Sequence, residues 1–209
     1  MQKRKIRNRL IIIGILLFLI GLLILSFFIL YKNFNIKKEQ KLIKEYINVS
    51  SQEKSNLEVL EYVTSNEEPS NNIEKYEMIL EIPKINLKKG LYSIDSKYNN
   101  VNYNIEIIKE SNMPNISNGN LILAGHNGNS TVSYFDNLNT LSKDDNVFVF
   151  YKGIKYIYKI TNNYEIKKDG TYKVLRNNDK TTITLISCKK NTTDKQIVYI
   201  GEQINQIAY

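Results

Sequence analysis

The chain has 209 residues and a formal net charge of +8, with one cysteine and one histidine. A single cysteine excludes an internal disulfide, so a folded domain in this chain must be held by its own hydrophobic core. The positive charge is concentrated in the first nine residues and otherwise spread among lysines, without a basic helical stripe or an aromatic platform motif. Nucleic acid is therefore not an expected partner.

The first predicted element is a transmembrane helix over residues 10–31, a run of 22 residues without a charge. As a helix it would be about 33 Å long, enough for a bilayer core of about 30 Å. The run is longer than the apolar part of a signal peptide and lacks a small-residue cleavage site. We therefore expect an uncleaved anchor in the lipid bilayer.

The basic tail, residues 1–9, carries five Lys and Arg residues, and five lysines also follow the apolar run within residues 32–44. The tail is too short to form a domain, so we expect it to be cytoplasmic. This orientation predicts a single-pass protein of the cell membrane with its C-terminal part outside the cell.

Residues 32–75 are polar and rich in charge, and they are predicted to form a partly helical stalk. Ile36, Ile43 and Ile47 recur at helical spacing and predict an amphipathic helix that leaves the membrane. The run Ser-Ser-Gln at 50–52 is expected to interrupt this helix, residues 57–63 to form a second helical piece, and residues 65–72 a loop.

From residue 76 to residue 209 the pattern changes to that of a mainly β domain. Short helical insertions are predicted at 100–111 and 134–138. Eight short strands with little helix predict one closed or nearly closed barrel. The predicted strands are 78–82, 90–94, 120–124, 147–151, 154–161, 164–167, 181–187 and 197–200.

Cys188 and His126 each follow a hydrophobic predicted strand. A lone cysteine is more often a small buried hydrophobic residue, and a lone histidine more often has a structural role. Strand ends, however, are where a rigid scaffold presents reactive groups, and a thiol needs a basic or cationic partner to act as a nucleophile. The chain offers one possible Cys-His pair.

Several motifs together resemble the sortase family, whose members are membrane-anchored cysteine transpeptidases of Gram-positive cell surfaces. They are Ile82-Pro83, Gly-His-Asn at 125–127, Tyr-Phe-Asp-Asn-Leu at 134–138 and Thr-Leu-Ile-Ser-Cys at 184–188. The resemblance covers residues 78–202 and implies an eight-stranded β barrel; it does not assign a class of sortase.

The resemblance further implies that Cys188 is the nucleophile and that His126 is the general acid and base. The substrates would be secreted proteins with a C-terminal sorting signal of the Leu-Pro-x-Thr-Gly kind, cleaved through a thioester. The acceptor would be an amine of a peptidoglycan precursor or of another surface protein. No cofactor and no metal are expected, because the acidic residues show no ligand spacing.

One departure from the family concerns an arginine on the strand after the cysteine. Alignment places Gln196 at that position, as a donor to the substrate or oxyanion, with Lys195 as an alternative on the opposite strand face. Arg176, before the cysteine strand, is a further candidate. Two other functions stay open: a catalytically weak module that binds peptides or the cell wall, which the missing arginine favours, and a hydrolytic cysteine peptidase with the same Cys-His pair.

Overall fold

The computed structural model describes residues 2–56, 75–128, 130–170 and 174–209. The chain divides into two compact units, residues 1–42 and residues 43–209. The predicted helical piece at 57–63 and the predicted loop at 65–72 lie outside the described residues.

A single α-helix, α1, runs over Gln2–Asn56. It contains one segment, beginning at Ile11 with a mean hydropathy of 3.1, that is long and apolar enough to span a membrane. The predicted interruption at 50–52 is wrong. The Ser51 hydroxyl donates to the carbonyl of Asn48 over 2.8 Å, so the side chain is accommodated within the helix.

Eight strands form one sheet: β1 (Met78–Ile82), β2 (Leu87–Leu91), β3 (Glu106–Ile107), β4 (Asn120–Gly125), β5 (Asn146–Tyr151), β6 (Ile154–Lys167), β7 (Thr182–Cys188) and β8 (Lys195–Ala208). Their order in the sheet is β2-β1-β5-β6-β8-β7-β4-β3, and the neighbours β4 and β7 are parallel while the other pairs are antiparallel. The Asn104 amide donates to the carbonyl of Gly90 over 2.8 Å and links the chain beside one edge strand to the other edge strand. The predicted nearly closed eight-stranded barrel is therefore confirmed.

The eight strands are not the eight that the sequence predicts. The segments 154–161 and 164–167 form one strand, β6, which continues through an irregularity between Ile160 and Asn162. Asn162 pairs with Ile200, so its polar side chain marks an exposed strand position and not a turn. The predicted strand 90–94 begins earlier, at Leu87.

The remaining strand, β3, lies in the segment 100–111 that was predicted to be helical. The Asn99 side chain donates to the carbonyl of Ile107 over 2.9 Å and accepts from its N–H over 2.7 Å. This side chain therefore replaces a strand neighbour at the sheet edge. The segment 134–138 consists mainly of turns, and the described short helices are two 3-10 turns at Pro83–Ile85 and Leu138–Thr140.

Apolar residues pack on both faces of the sheet, in two separate clusters. The barrel interior contains buried residues of alternating strand positions, such as Ile183 and Leu185 on β7. Ile186, the position after Leu185, faces a second apolar cluster, which we call the outer cluster. Its buried members are Ile108, Ile122, Ala124, Ile186, Val198 and Ile200.

A third cluster joins the C-terminal part of α1 to the barrel wall. Ile43 is buried against Ile79 of β1 and Phe150 of β5. The hydroxyl of Tyr46 donates to the carbonyl of Glu77 over 2.9 Å. Burial, with the nearby Tyr209, raises the pKa of Tyr46 to about 12. The part of α1 from Ile43 to Asn56 thus belongs to the same packed unit as the strands.

Candidate active site

The site is built at the shared end of the parallel strands β4 and β7. Their last paired residues are Gly125 and Ser187, and the Ser187 hydroxyl donates to the carbonyl of Gly125 over 2.8 Å. His126 follows the first of these residues and Cys188 the second. Neighbouring strands lie about 4.8 Å apart. The pairing of β4 with β7 therefore brings the backbones of the two predicted catalytic residues next to each other in space.

Alternation along the strands also assigns a face to each position. Ile122 and Ala124 of β4 and Ile186 of β7 belong to the outer cluster, and alternation along β7 puts Cys188 on the same face as Ile186. His126 lies one residue beyond the end of β4. Cys188 is a free cysteine of intermediate exposure, and His126 is also partly exposed. Cys188 is therefore not a fully buried core residue.

The loop after His126 is held by Phe135. The Phe135 N–H donates to the carbonyl of His126 over 3.0 Å, and the ring of Phe135 is fully buried in the barrel interior. A Cβ atom at Gly125 would lie 2.7 Å from a carbon of that ring. The absence of a side chain at 125 therefore lets the ring pack under the residue that precedes the histidine.

Asn127 connects the histidine loop to the cysteine. Its Nδ2 donates to the carbonyl of Cys188 over 3.0 Å. Its Oδ1 is buried and has no hydrogen-bond partner in the described part of the chain. Sequence reasoning included Asn127 in a motif but gave it no role; its place directly after the histidine was the available signal.

Gln196 lies opposite Cys188 in the antiparallel pair of β7 and β8, where their Cα atoms are partners. No register shift occurs between these two strands from Thr182 to Cys188. Side chains at directly opposed positions share a face, so Gln196 is on the face of the thiol.

Lys195 lies on the other face, as the alternation predicts. Its ammonium contacts Glu165 over 3.3 Å, and Lys189 also forms an ion pair with Glu165. The hydrogen bond from Lys189 is the largest cause that lowers the pKa of the Glu165 carboxyl below its ordinary value of 4.5. This cluster joins both ends of the β7–β8 connection, where the Lys189 N–H also donates to the carbonyl of Lys195 over 2.9 Å.

Arg176 does not reach the site. Its guanidinium donates to the carbonyl of Asn118 over 3.0 Å and to that of Lys180 over 3.2 Å. These contacts lie at the beginning of β7, about 20 Å from Cys188 by the rise of an extended strand. The suggestion that Arg176 substitutes for the family's arginine is therefore wrong, and its role here is to bind loop carbonyls.

A polar pocket of about 410 Å³ opens beside Cys188. It is lined by residues 188–192, by Asn127 and Gly128, and by Asp136. Asp136 forms an ion pair with Lys190 over 3.2 Å across this region. The pocket thus joins the cysteine strand, the histidine loop and the β7–β8 connection.

The family model described as Sortase domain matches residues 80–203, more than half of the chain, and the chain belongs to the sortase family. Sortases are cysteine transpeptidases, so the residues just described lie in a transpeptidase domain. No match is found among curated proteins.

Solved structures with the same fold include three sortases. The Clostridium perfringens sortase D5 transpeptidase is 23% identical, with a TM-score of 0.57, covering 80% of this chain and 98% of that chain. Sortase A of Listeria monocytogenes is 21% identical, with a TM-score of 0.54, and the match covers 64% of this chain and 90% of that chain. Sortase C-3 of Streptococcus pneumoniae is 17% identical, with a TM-score of 0.58, and the match covers 81% of this chain and 86% of that chain. At these identities the likeness shows the fold.

Proposed function

We propose that this sortase cleaves a C-terminal sorting signal of secreted proteins and transfers the acyl part to an amine at the cell surface. The observation that carries the proposal is the pairing of Gly125 with Ser187, which brings His126 and Cys188 to adjacent positions. A signal of the Leu-Pro-x-Thr-Gly kind is the proposed substrate, on the sequence resemblance.

In the first half-reaction the thiolate of Cys188 attacks the scissile carbonyl. The C–N bond breaks, and the imidazolium of His126 gives its proton to the departing amine. A thioester on Cys188 and a neutral imidazole remain. The thioester retains the reactivity of an activated acyl group, so no ATP is needed for the second half.

In the second half-reaction an incoming neutral amine attacks the thioester carbonyl. A new C–N bond forms, the C–S bond breaks with its electron pair on the sulfur, and His126 accepts the proton of the attacking nitrogen. The thiolate and the imidazolium are thereby restored. The proposed acceptors are an amine of a peptidoglycan precursor or of another surface protein.

The apolar helix supports a membrane anchor for this domain. We place residues 1–9 in the cytoplasm, residues 10–31 in the bilayer, residues 32–75 in the stalk and residues 76–209 outside the cell. Thiol labelling of Cys188 on intact cells with a membrane-impermeant reagent tests this orientation. Protection of the thiol until the cells are opened would contradict it.

A catalytically weak peptide-binding module is a second candidate, because no described arginine reaches Cys188 and Gln196 supplies only a neutral donor. The full chain in detergent micelles is incubated with peptides carrying Leu-Pro-x-Thr-Gly-type signals, and adducts on Cys188 are measured by mass spectrometry. The proposal expects an acyl adduct that Cys188→Ala abolishes and that a primary amine converts to an amide. Binding without an adduct favours the weak module, and hydrolysis that an amine does not divert favours a peptidase.

A further inference from the structure

A lysine lies on the interior face of the barrel, where the neighbouring positions are apolar. Lys89 of β2 is paired with Leu80 of β1, and directly opposed side chains share a face of the sheet. Leu80 and Leu91, the latter two residues after Lys89, are fully buried in the interior cluster. Lys89 itself is only 8% exposed. An apolar side chain would be the ordinary residue at this position, because removing an ammonium group from water is unfavourable.

The ammonium of Lys89 lies over the ring of Tyr134, with Nζ 4.5 Å from the ring centroid. The negative face of an aromatic ring attracts a cation, and the attraction is strongest where water is excluded. The contact therefore offsets part of the cost of burying Lys89. It also joins β2, which is an edge strand of the sheet, to the segment that follows His126.

Tyr134 and Phe135 are the two aromatic residues that hold this segment against the barrel. Tyr134 packs against the interior cluster, in which Phe135 is fully buried. The Phe135 N–H donates to the carbonyl of His126 over 3.0 Å. The imidazole of His126 forms no hydrogen bond within the described part of the chain, so its position depends on the backbone that carries it.

From these contacts we infer that Lys89 is a positioning residue for His126 and acts through Tyr134 from inside the barrel. The inference rests on the proposed transpeptidation, in which His126 transfers the protons. Lys89 takes part in no bond change. Its ammonium holds the ring of Tyr134, and the next residue, Phe135, binds the carbonyl of His126. A small displacement of a catalytic group lowers the rate strongly, because the reacting atoms must be aligned.

The first test removes the charge of Lys89 and keeps a long apolar side chain. The full chain in detergent micelles is given a Leu-Pro-x-Thr-Gly-type peptide, and the adduct on Cys188 is followed by rapid-quench mass spectrometry. Lys89→Met is expected to lower the maximal rate of adduct formation about tenfold. The peptide concentration that gives half of this rate should not change, because Lys89 is on the interior face and Cys188 on the outer face of the sheet.

Thermal unfolding separates positioning from a purely structural role. Lys89→Met is expected to melt at the same temperature as the wild type or at a higher one, because methionine places no charge in the interior. A lysine that only stabilises the fold predicts that melting temperature and rate fall together. That result would overturn the inference.

The second test changes the ring that Lys89 contacts. Tyr134→Leu is expected to lower the rate by a similar factor, whereas Tyr134→Phe keeps the ring face and should retain most of the rate. If the two residues act as one unit, Lys89→Met with Tyr134→Leu is about as slow as the slower single variant, and losses that multiply would contradict the inference. Lys155→Met is the matched control and should leave the rate unchanged. The Lys155 ammonium lies 3.8 Å from the ring centroid of Phe148, which packs against the third cluster.

Amide hydrogen exchange over residues 130–138, measured by mass spectrometry, gives a readout that needs no turnover. Exchange should be faster in Lys89→Met and Tyr134→Leu, and should match the wild type in Tyr134→Phe and Lys155→Met. Unchanged exchange in Lys89→Met would overturn the inference. A wild type that forms no adduct on Cys188 refutes the proposed function, and exchange then still decides whether Lys89 holds the loop. An active wild type that Lys89→Met equals in rate refutes only the positioning role.

Discussion

Gln196 lies directly across the β7–β8 ladder from Cys188, on the same face of the sheet. A neutral amide in this place can donate one hydrogen bond to an oxyanion, without the charge or the two-pronged geometry of a guanidinium. The relationship makes Gln196 the candidate donor for the first half-reaction, and it separates this residue from Lys195, whose ammonium contacts Glu165.

The role of Gln196 is tested by one substitution that removes its hydrogen-bond donor and one that adds a positively charged donor. Gln196→Ala is expected to lower the rate of acyl-adduct formation about fivefold to tenfold, the value of one neutral hydrogen bond. Gln196→Arg is expected to raise the rate, because a charge-assisted bond is stronger. Lys195→Ala is the control and should change the rate about twofold or less. Rapid-quench mass spectrometry of the Cys188 adduct measures all three, and a larger loss in Lys195→Ala than in Gln196→Ala would assign the role to the lysine.

The packing of Phe135 against Gly125 predicts that a methyl group at this glycine disturbs the histidine loop. A Cβ atom would lie 2.7 Å from the ring, so Gly125→Ala must displace either the ring or the strand end. Overpacking of this kind costs about 1–3 kcal/mol of unfolding free energy. We expect in addition a fall in adduct formation of about tenfold or more, because the His126 carbonyl is bound by the Phe135 N–H and a displaced ring would misplace the histidine.

Gly201→Ala provides the matched comparison. Its Cβ would lie 2.9 Å from a methyl carbon of Ile183, a similar crowding in the barrel interior away from His126. Thermal unfolding and adduct formation are measured in both variants. Equal losses of activity at equal losses of stability would show that Gly125 has no specific effect on the site.

Sequence reasoning placed the candidate residues at strand ends but did not predict how the strands are arranged. The hydrophobic runs before His126 and Cys188 predict strand ends, because strand propensity and the following loop are local properties of the chain. That these strands are parallel neighbours depends on pairing between residues 62 positions apart, which no local pattern encodes. The resemblance to sortases implies a Cys-His pair in an eight-stranded barrel, and this strand pairing was not part of the prediction.

The errors in the strand assignment have a related cause. The sequence predicts a break between the strands 154–161 and 164–167, a gap that contains Asn162, but Asn162 pairs with Ile200 across the ladder and the strand continues. The two-residue strand β3 is too short for a periodic signal, and it depends on the side chain of Asn99. The free Oδ1 of Asn127 follows from a tertiary hydrogen bond and is likewise absent from any sequence pattern.

The ion pairs of Glu165 predict a pH dependence of stability in acid. Hydrogen bonds and charge from Lys189 and Lys195 lower the pKa of this carboxyl in the folded state. A group with a lowered pKa stabilises the fold above its unfolded value, and the contribution is lost as the pH falls from about 4.5 through the lower folded value. Glu165→Gln should therefore be less stable than the wild type near neutral pH, and the difference should shrink in acid.

Near-UV circular dichroism follows this unfolding, because the chain has 15 tyrosines and no tryptophan. Melting temperatures of the wild type and Glu165→Gln are compared from about pH 7 to about pH 3. Glu110→Gln, at an exposed acid outside the ion-pair cluster, is the control. A difference in melting temperature that stays constant across the range would show that the charge of Glu165 is not responsible.

The half-buried Tyr46 predicts a loss of stability at high pH. Its pKa is raised to about 12 in the folded state, chiefly by burial, so the neutral phenol is favoured by folding. A group with a raised pKa stabilises the fold below its ordinary value of 10.0, and this contribution is lost as the pH rises through about 12.

Tyr46→Phe removes this dependence together with the hydrogen bond to Glu77, and it leaves the ring against the barrel wall. We expect the variant to unfold at a lower temperature near neutral pH and to lose less stability than the wild type above about pH 10. Tyr103→Phe, at a tyrosine that is 62% exposed, is the control. If Tyr46→Phe loses stability in alkali as steeply as this control, Tyr46 is not the group that links α1 to the barrel in a pH-dependent way.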